Sequence, residues 1–247
     1  MPSFRRSPVS FRFYAQLNDF LPRHLRGQRL TRVLNDAAAV RDIIGAFGVP
    51  PPEVDVVVVN GAPRDLSWRL SPGDQVAVYP AFRSLDLSGL PRAGTDPPRP
   101  LRFAADVHLG RLAAFLRLAG FDTVVLDDDA EIAGMAAREG RVLLTRDVDL
   151  LKRSVVRHGY WVRSTDSERQ LLEIADRFDL ARDIDAFSRC LRCNTPLRDR
   201  HAADVADRVP PRARATFREF RGCPGCGRVY WKGSHYRRLE ALVARIG

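Results

Sequence analysis

The chain has 247 residues, 45% hydrophobic and 28% charged, proportions that build packed cores and exclude wholesale disorder. At roughly 100 to 200 residues per domain, this length predicts two domains. No apolar run approaches the roughly 20 residues of a membrane helix, and residues 1–6 are not followed by the apolar stretch of a secretory signal; the expectation is a cytoplasmic protein without a membrane partner.

The formal net charge is +10, and 38 of the 40 basic residues are Arg, whose planar fork suits phosphate. Its distribution is uneven. Residues 1–100 hold 13 basic and 9 acidic side chains, residues 101–188 hold 13 and 16, and residues 189–247 hold 14 and 5. An acidic middle followed by a basic tail predicts a carboxylate-lined site beside a surface able to hold a phosphate backbone.

In chain order, residues 9–14 alternate as a strand. Residues 36–47 follow a helical period with Asp36 as N-cap, and Gly48 and Pro50 end the pattern. Residues 54–59 and 75–79 read as strands, with turns at Asn60-Gly61 and at residues 71–74. This is an α+β unit without a catalytic constellation. The stretch LPRAGTDPPRP, residues 90–100, has four Pro and one Gly and reads as a linker.

Beyond it, strands at residues 101–105, 123–126, 141–145 and 160–163 alternate with helices at 107–119, 130–139, 148–157 and 166–178, the second-domain helices closing at Gly120, Gly140 and Gly159. That alternation predicts an α/β fold with a parallel sheet covered on both faces. Asp106, then Asp127, Asp128 and Asp129, then Asp147 and Asp149 follow the first three of these strands. In open α/β sheets the carboxyl ends of the strands form the site crevice. Crowded carboxylates repel one another unless a cation compensates, and hard Mg²⁺ or Mn²⁺ takes oxygen ligands. Each such Asp also has a reading as a helix N-cap; Asp166, beside a Thr165/Glu168 capping box, keeps that reading and is left out of the site.

All four cysteines fall in two CxxC pairs, Cys190/Cys193 and Cys223/Cys226, 29 residues apart. Two such turns supply four thiolates to one tetrahedral Zn²⁺, a closed, structural geometry. Disulfides and an iron–sulfur cluster are the alternatives, and His235 is set aside as a ligand because four cysteines already fill the site. Arg228, Lys232, Arg237 and Arg238 beside Tyr230, Trp231 and Tyr236 offer phosphate contacts and base stacking, with core packing the competing role for Trp231.

Two resemblances sharpen this reading. The pattern VVVVNGAPRD followed by LSPGDQVAVYPAF resembles the β-grasp ubiquitin-like domains related to small sulfur carriers, over residues 9–83. The run DVHLGRLAAFLRLAGFDTVVLDDDAEIAGMAAREGRVLLTRDVDLLKR resembles the Mut-seven C-terminal ribonuclease family, PIN-like nuclease domains with a zinc ribbon, from about residue 101 to 239. These resemblances imply a ubiquitin-like β-grasp domain over residues 1–88, a linker over 89–100, a PIN-like core over 101–188 and a zinc ribbon with basic segment over 189–247. They also imply a metal-dependent ribonuclease acting on RNA, with Asp106, Asp129, Asp147 and Asp149 on Mg²⁺ or Mn²⁺, Asp127 or Asp128 standing in for Asp129. Cys190, Cys193, Cys223 and Cys226 would hold structural Zn²⁺, and the ubiquitin-like domain would offer a surface to a protein partner. The competing reading is a non-catalytic RNA-binding or protein-interaction adaptor.

Overall fold

The structure is a computed structural model that describes residues 7–34, 36–81, 91–234 and 236–247. Residues 1–6, the end of the first expected domain from residue 82, the first linker residues 89–90 and His235 lie outside the described residues. The chain forms two compact units: residues 1–97 with 136–161, and residues 98–135 with 162–247.

The first unit opens with strand β1 (Val9–Phe13) and β2 (Arg29–Arg32), followed by helix α1 (Val40–Ala46), then β3 (Val56–Val59), β4 (Ala62–Arg64) and β5 (Gln75–Tyr79). They form one mixed five-stranded sheet in the order β2-β1-β5-β3-β4, with β1 and β5 parallel at its centre. Two hairpins and a helix around a central parallel pair make a β-grasp. Inward positions of β1 and β5 alternate as the period of two requires, and Phe11, Phe13, Val76 and Val78 are buried against Ile43 and Ile44 of α1. Phe47, just past α1, sets its ring 5.2 Å from Phe11 and 5.6 Å from Phe13.

The helix starts at Val40, and Asp36 is not its cap. Ala39, immediately before the helix, is held extended by a bridge to Arg69 in the segment opposite: Leu70 N–H donates to the Ala38 carbonyl at 3.0 Å and Val40 N–H to the Trp68 carbonyl at 2.9 Å. These long-range bonds outcompete the local capping signal. The strands β2 and β4, absent from the sequence reading, are edge strands: β2 buries Leu30 alone and β4 is half-buried throughout, so neither carries an alternating apolar signal. Ala93 is buried in the β-grasp core; its N–H donates to Asp55 at 2.7 Å, and its carbonyl accepts from Leu66 at 3.3 Å.

The following segment contains β6 (Arg102–Asp106), α2 (Gly110–Leu118), β7 (Asp122–Leu126), α3 (Asp129–Glu139), β8 (Val142–Thr145), α4 (Val148–Leu151), β9 (Gly159–Trp161) and α5 (Ser167–Phe178). Both β6–β7 and β8–β9 pair in parallel, as the alternating pattern predicts. In the second unit α2 packs on β7 and α5, with Phe103 edge-on to Phe121 and Phe178 at 5.8 and 6.1 Å. The expected helix over 148–157 is one turn long, and Gly159 opens a strand instead of closing that helix. A side chain at Gly159 would approach Leu151 Cδ2 to 2.7 Å, so close packing of β9 on α4 accounts for the glycine.

The first unit also contains a buried link between its parts. Glu53, 2% exposed, lies in the short turn Pro51–Glu53 and accepts the Trp161 backbone N–H at 2.6 Å. Phe20 lies 5.2 Å from the Trp161 ring, and Trp161 Nε1 donates to the Arg146 carbonyl at 3.0 Å. The β-grasp thereby supports the end of β9 and the turn preceding Asp147.

The second unit ends with β10 (Arg198–Arg200), α6 (Pro211–Thr216), β11 (Phe220–Gly222), β12 (Val229–Trp231) and α7 (Tyr236–Ala244). Strands β10, β11 and β12 form an antiparallel three-stranded ribbon. Its small core is Val205, Val209 and Phe220, with Trp231 packed against them. Among the described residues, no helix is long and apolar enough to cross a membrane.

Candidate metal centre and strand-end carboxylates

The cysteines are brought together. One CxxC turn precedes β10, and the other connects β11 to β12. All four sulfurs lie within 4.8 Å of one another. Cys190 and Cys226 sulfurs are 3.6 Å apart, and those of Cys193 and Cys223 are 3.3 Å apart. A tetrahedron with metal–sulfur bonds of about 2.3 Å has edges of about 3.8 Å, so the quartet fits one thiolate-bound ion. Cys190 and Cys223 are buried; Cys193 and Cys226 are exposed.

The electrostatics indicate why a cation belongs here. The Thr195 hydroxyl and backbone N–H pull the Cys193 thiol down to about 6. The Arg228 N–H favours the Cys226 thiolate, but desolvation and the three neighbouring sulfurs override it and push that thiol up to about 12. Four thiols this close resist ionising together until a positive charge is shared among them. Burial raises the Tyr230 phenol, assisted by Cys190, whose sulfur lies 3.2 Å from the Tyr230 oxygen.

The first CxxC turn is fixed to the α/β core by Arg117 on α2. This guanidinium is 7% exposed and donates to the carbonyls of Thr123, Leu191 and Arg192 at 2.8, 3.0 and 2.8 Å. Burial lowers its pKa, while nearby Cys190 and Cys193 pull in the other direction. Asn194 completes the attachment: its Oδ1 accepts the Thr123 N–H at 3.1 Å, and its Nδ2 donates to Asp122 at 2.7 Å. The sequence reading missed both residues. The available signal was an Arg embedded in the apolar stripe of α2, between Leu116 and Leu118.

Of the expected metal-binding carboxylates, Asp106 ends a strand, and the others follow strands, with Asp129 and Asp149 already in the next helix. Asp106 closes β6, and its Oδ1 accepts the His108 N–H at 3.0 Å. Its neighbour in the parallel register is Leu126, the last residue of β7; Asp127, Asp128 and Asp129 follow at once and are exposed. The cap of α3 comes from Asp128, which accepts the Glu131 N–H at 2.7 Å, whereas Asp129 is the first helical residue. Asp147 follows β8, caps α4 through the Asp149 N–H at 2.8 Å, and receives the hydroxyl of Thr145 as an acceptor for its own N–H at 2.9 Å. Asp149 is exposed and paired with Lys152 at 3.0 Å. Asp166 caps α5 through the Arg169 N–H at 2.9 Å, as its sequence context predicts.

The basic and aromatic residues of the tail divide in function. Arg238 is paired with Glu168 at 3.2 Å and Lys232 with Glu219 at 2.6 Å. Tyr230 faces the cysteine centre, and Trp231 serves the ribbon core. Arg111 lies 5.7 Å from the Phe115 ring.

A β-grasp joined to a parallel-sheet α/β domain with a four-cysteine ribbon defines the class of protein. The chain belongs to the family of the Mut7-C RNAse domain, whose model matches residues 101–243, more than half of the sequence. The Mut7-C ubiquitin model matches residues 6–86. No curated protein matches the chain.

Proposed function

We propose that the protein is a divalent-metal-dependent, PIN-like ribonuclease that hydrolyses RNA phosphodiester bonds, with a zinc ribbon that helps to hold the RNA. The observation that carries this reading is membership of an RNAse-domain family together with an Asp on or just past the end of each of the strands β6, β7 and β8. The assigned ligands are Asp106, Asp129, Asp147 and Asp149, an all-oxygen donor set suited to Mg²⁺ or Mn²⁺. Such an ion, when bound, supplies polarisation of a phosphoryl oxygen and activation of a water.

The chain's own residues prepare the site. One oxygen each of Asp106 and Asp147 is held by a backbone N–H, which fixes the carboxylate rotamer. The capping of α3 by Asp128 relieves Asp129 of that role. The four thiolates hold Zn²⁺, and because they fill a tetrahedron, the zinc is structural. The division into residues 1–88, 89–100, 101–188 and 189–247, a cytoplasmic location and a protein partner for the ubiquitin-like domain belong to the same reading.

The test is cleavage of end-labelled single-stranded and structured RNA with Mn²⁺, Mg²⁺ or excess EDTA, with zinc content followed throughout. Metal-dependent cleavage that disappears in Asp106→Asn and Asp147→Asn, while folding and RNA binding persist, supports the proposal. Wild-type protein that binds RNA without cutting it, or variants that cut equally well, would replace the enzyme with an RNA-binding adaptor.

A further inference from the structure

A cavity of about 810 Å³ lies in the second unit between the ribbon and the residues preceding it, lined by residues 118, 186–200, 218–221, 229–234, 236 and 239 in part. Its size is in the upper range for clefts that enclose small organic groups, about 300 to 1,000 Å³. Five lining side chains are basic and two are acidic. The wall therefore favours a negatively charged occupant.

Its chemistry is of two kinds. Phe187 and Tyr236 form a stacked pair, centroids 4.7 Å apart at 28°, both half-buried, so ring surface remains accessible. Phe187 has φ 61°, the left-handed region, which a bulky residue occupies only when its surroundings impose it. Here its N–H donates to Leu118 at 2.8 Å and its carbonyl accepts from Arg221 at 2.8 Å, bonds that hold the ring in the cavity wall. Around this aromatic surface stand Arg200 and Arg218, both exposed and both without an acidic partner among the described residues. The Arg200 stem crosses Gly222, where an added Cβ would meet it at 2.8 Å; the glycine keeps that guanidinium close to the strand.

We infer that this groove binds single-stranded nucleic acid, stacking a base on the Phe187–Tyr236 surface and holding flanking phosphates with Arg200 and Arg218. Aromatic platforms flanked by cations recognise unpaired strands because a splayed base exposes its π-face. A duplex keeps its bases stacked internally and offers no face to this surface. The inference rests on the ribonuclease reading for the choice of RNA, and it makes the ribbon the element that selects unpaired strands.

The test measures fluorescence anisotropy of a labelled oligouridine of roughly 12 nucleotides with the full-length, zinc-loaded Asp106→Asn/Asp147→Asn protein. The oligodeoxythymidine of equal length and a blunt RNA duplex serve as competitors. The single strands should compete and the duplex should not. Arg200→Glu/Arg218→Glu should weaken binding at least tenfold and flatten the log-affinity against log-salt slope by about 1.4, the loss of two single-strand phosphate contacts. Tyr236→Ala should weaken binding about tenfold with a nearly unchanged slope. If Tyr236→Ala loses zinc, Tyr236→Phe, which keeps the ring, should bind as the parent does.

Equal competition by the duplex, or charge-reversed protein that binds as the parent, overturns the groove assignment. Competition by oligodeoxythymidine as strong as that by oligouridine keeps the groove and removes its preference for RNA. Cleavage by wild type without any effect of the groove variants rejects the groove alone; groove-dependent binding without cleavage by wild type rejects the nuclease alone.

Discussion

Replacing Glu53 with Ala tests whether the β-grasp supports the turn that carries Asp147. Glu53 is 2% exposed and its carboxylate accepts the Trp161 N–H at 2.6 Å. A hydrogen bond to a charged acceptor is worth about 1.5 to 3 kcal/mol, and a donor left unsatisfied away from water costs about 1 to 3 kcal/mol. These figures describe one loss from two sides and are not summed, so Glu53→Ala should destabilise the first unit by about 2 to 3 kcal/mol. At about 2 to 4 °C per kcal/mol, its melting transition should fall by about 4 to 12 °C. Glu53→Gln retains an acceptor oxygen and should lose about half as much.

Urea unfolding followed by tryptophan fluorescence reads the global effect. Amide hydrogen exchange at Trp161 and at residues 147–150 reads the local one, with faster exchange at both expected in Glu53→Ala. A change under about 0.5 kcal/mol with unaltered Trp161 exchange would show that the bond does not hold β9 in place and would refute the reasoning.

Four further outcomes are expected. Cys190→Ser or Cys223→Ser should abolish stoichiometric zinc and melt the ribbon, detected by metal analysis and near-ultraviolet circular dichroism; zinc retained at one equivalent in both would count against the quartet. Zinc affinity should fall as pH falls, because protons compete for the thiolates: Cys193, lowered from 9.0 to about 6, contributes fully above its ordinary value and progressively loses that contribution as pH falls through about 6, readable by titration with a chromophoric chelator. Arg117→Met should cost about 2 to 4 kcal/mol, since three carbonyls lose their donor in a buried setting, and Arg117→Lys should not restore it because a point ammonium cannot span the three acceptors; urea denaturation compares them. Gly120 has φ 102°, and a Cβ there would lie 2.3 Å from the Asp185 carbonyl oxygen, so Gly120→Ala should lower stability by about 2 kcal/mol or more; a variant that melts within 2 °C of wild type would contradict the packing.

Whatever depends on neighbours along the chain is legible from the residues alone. The parallel α/β alternation follows from strand and helix periods between residues 101 and 178, and the cysteine centre follows from two CxxC turns whose four sulfurs have few other uses. The position of Asp106, Asp129 and Asp147 after strands was equally legible, because the end of a strand is marked locally by polar residues and a following helical period. Tertiary structure decided what depends on distant partners. Asp36 has the chemistry of a cap, yet the segment around residues 66–70 takes the backbone at Ala39 into extended pairing. The pattern after Asp147 reads as three turns of helix, yet β9 packing on α4 leaves one. Arg117, Glu53 and Phe187 are unremarkable as letters: the first is one Arg among 38. Their roles arise when burial removes water and leaves a single set of partners, and which groups meet in that dry environment is set by strand order and packing across long stretches of chain, beyond the reach of any local pattern.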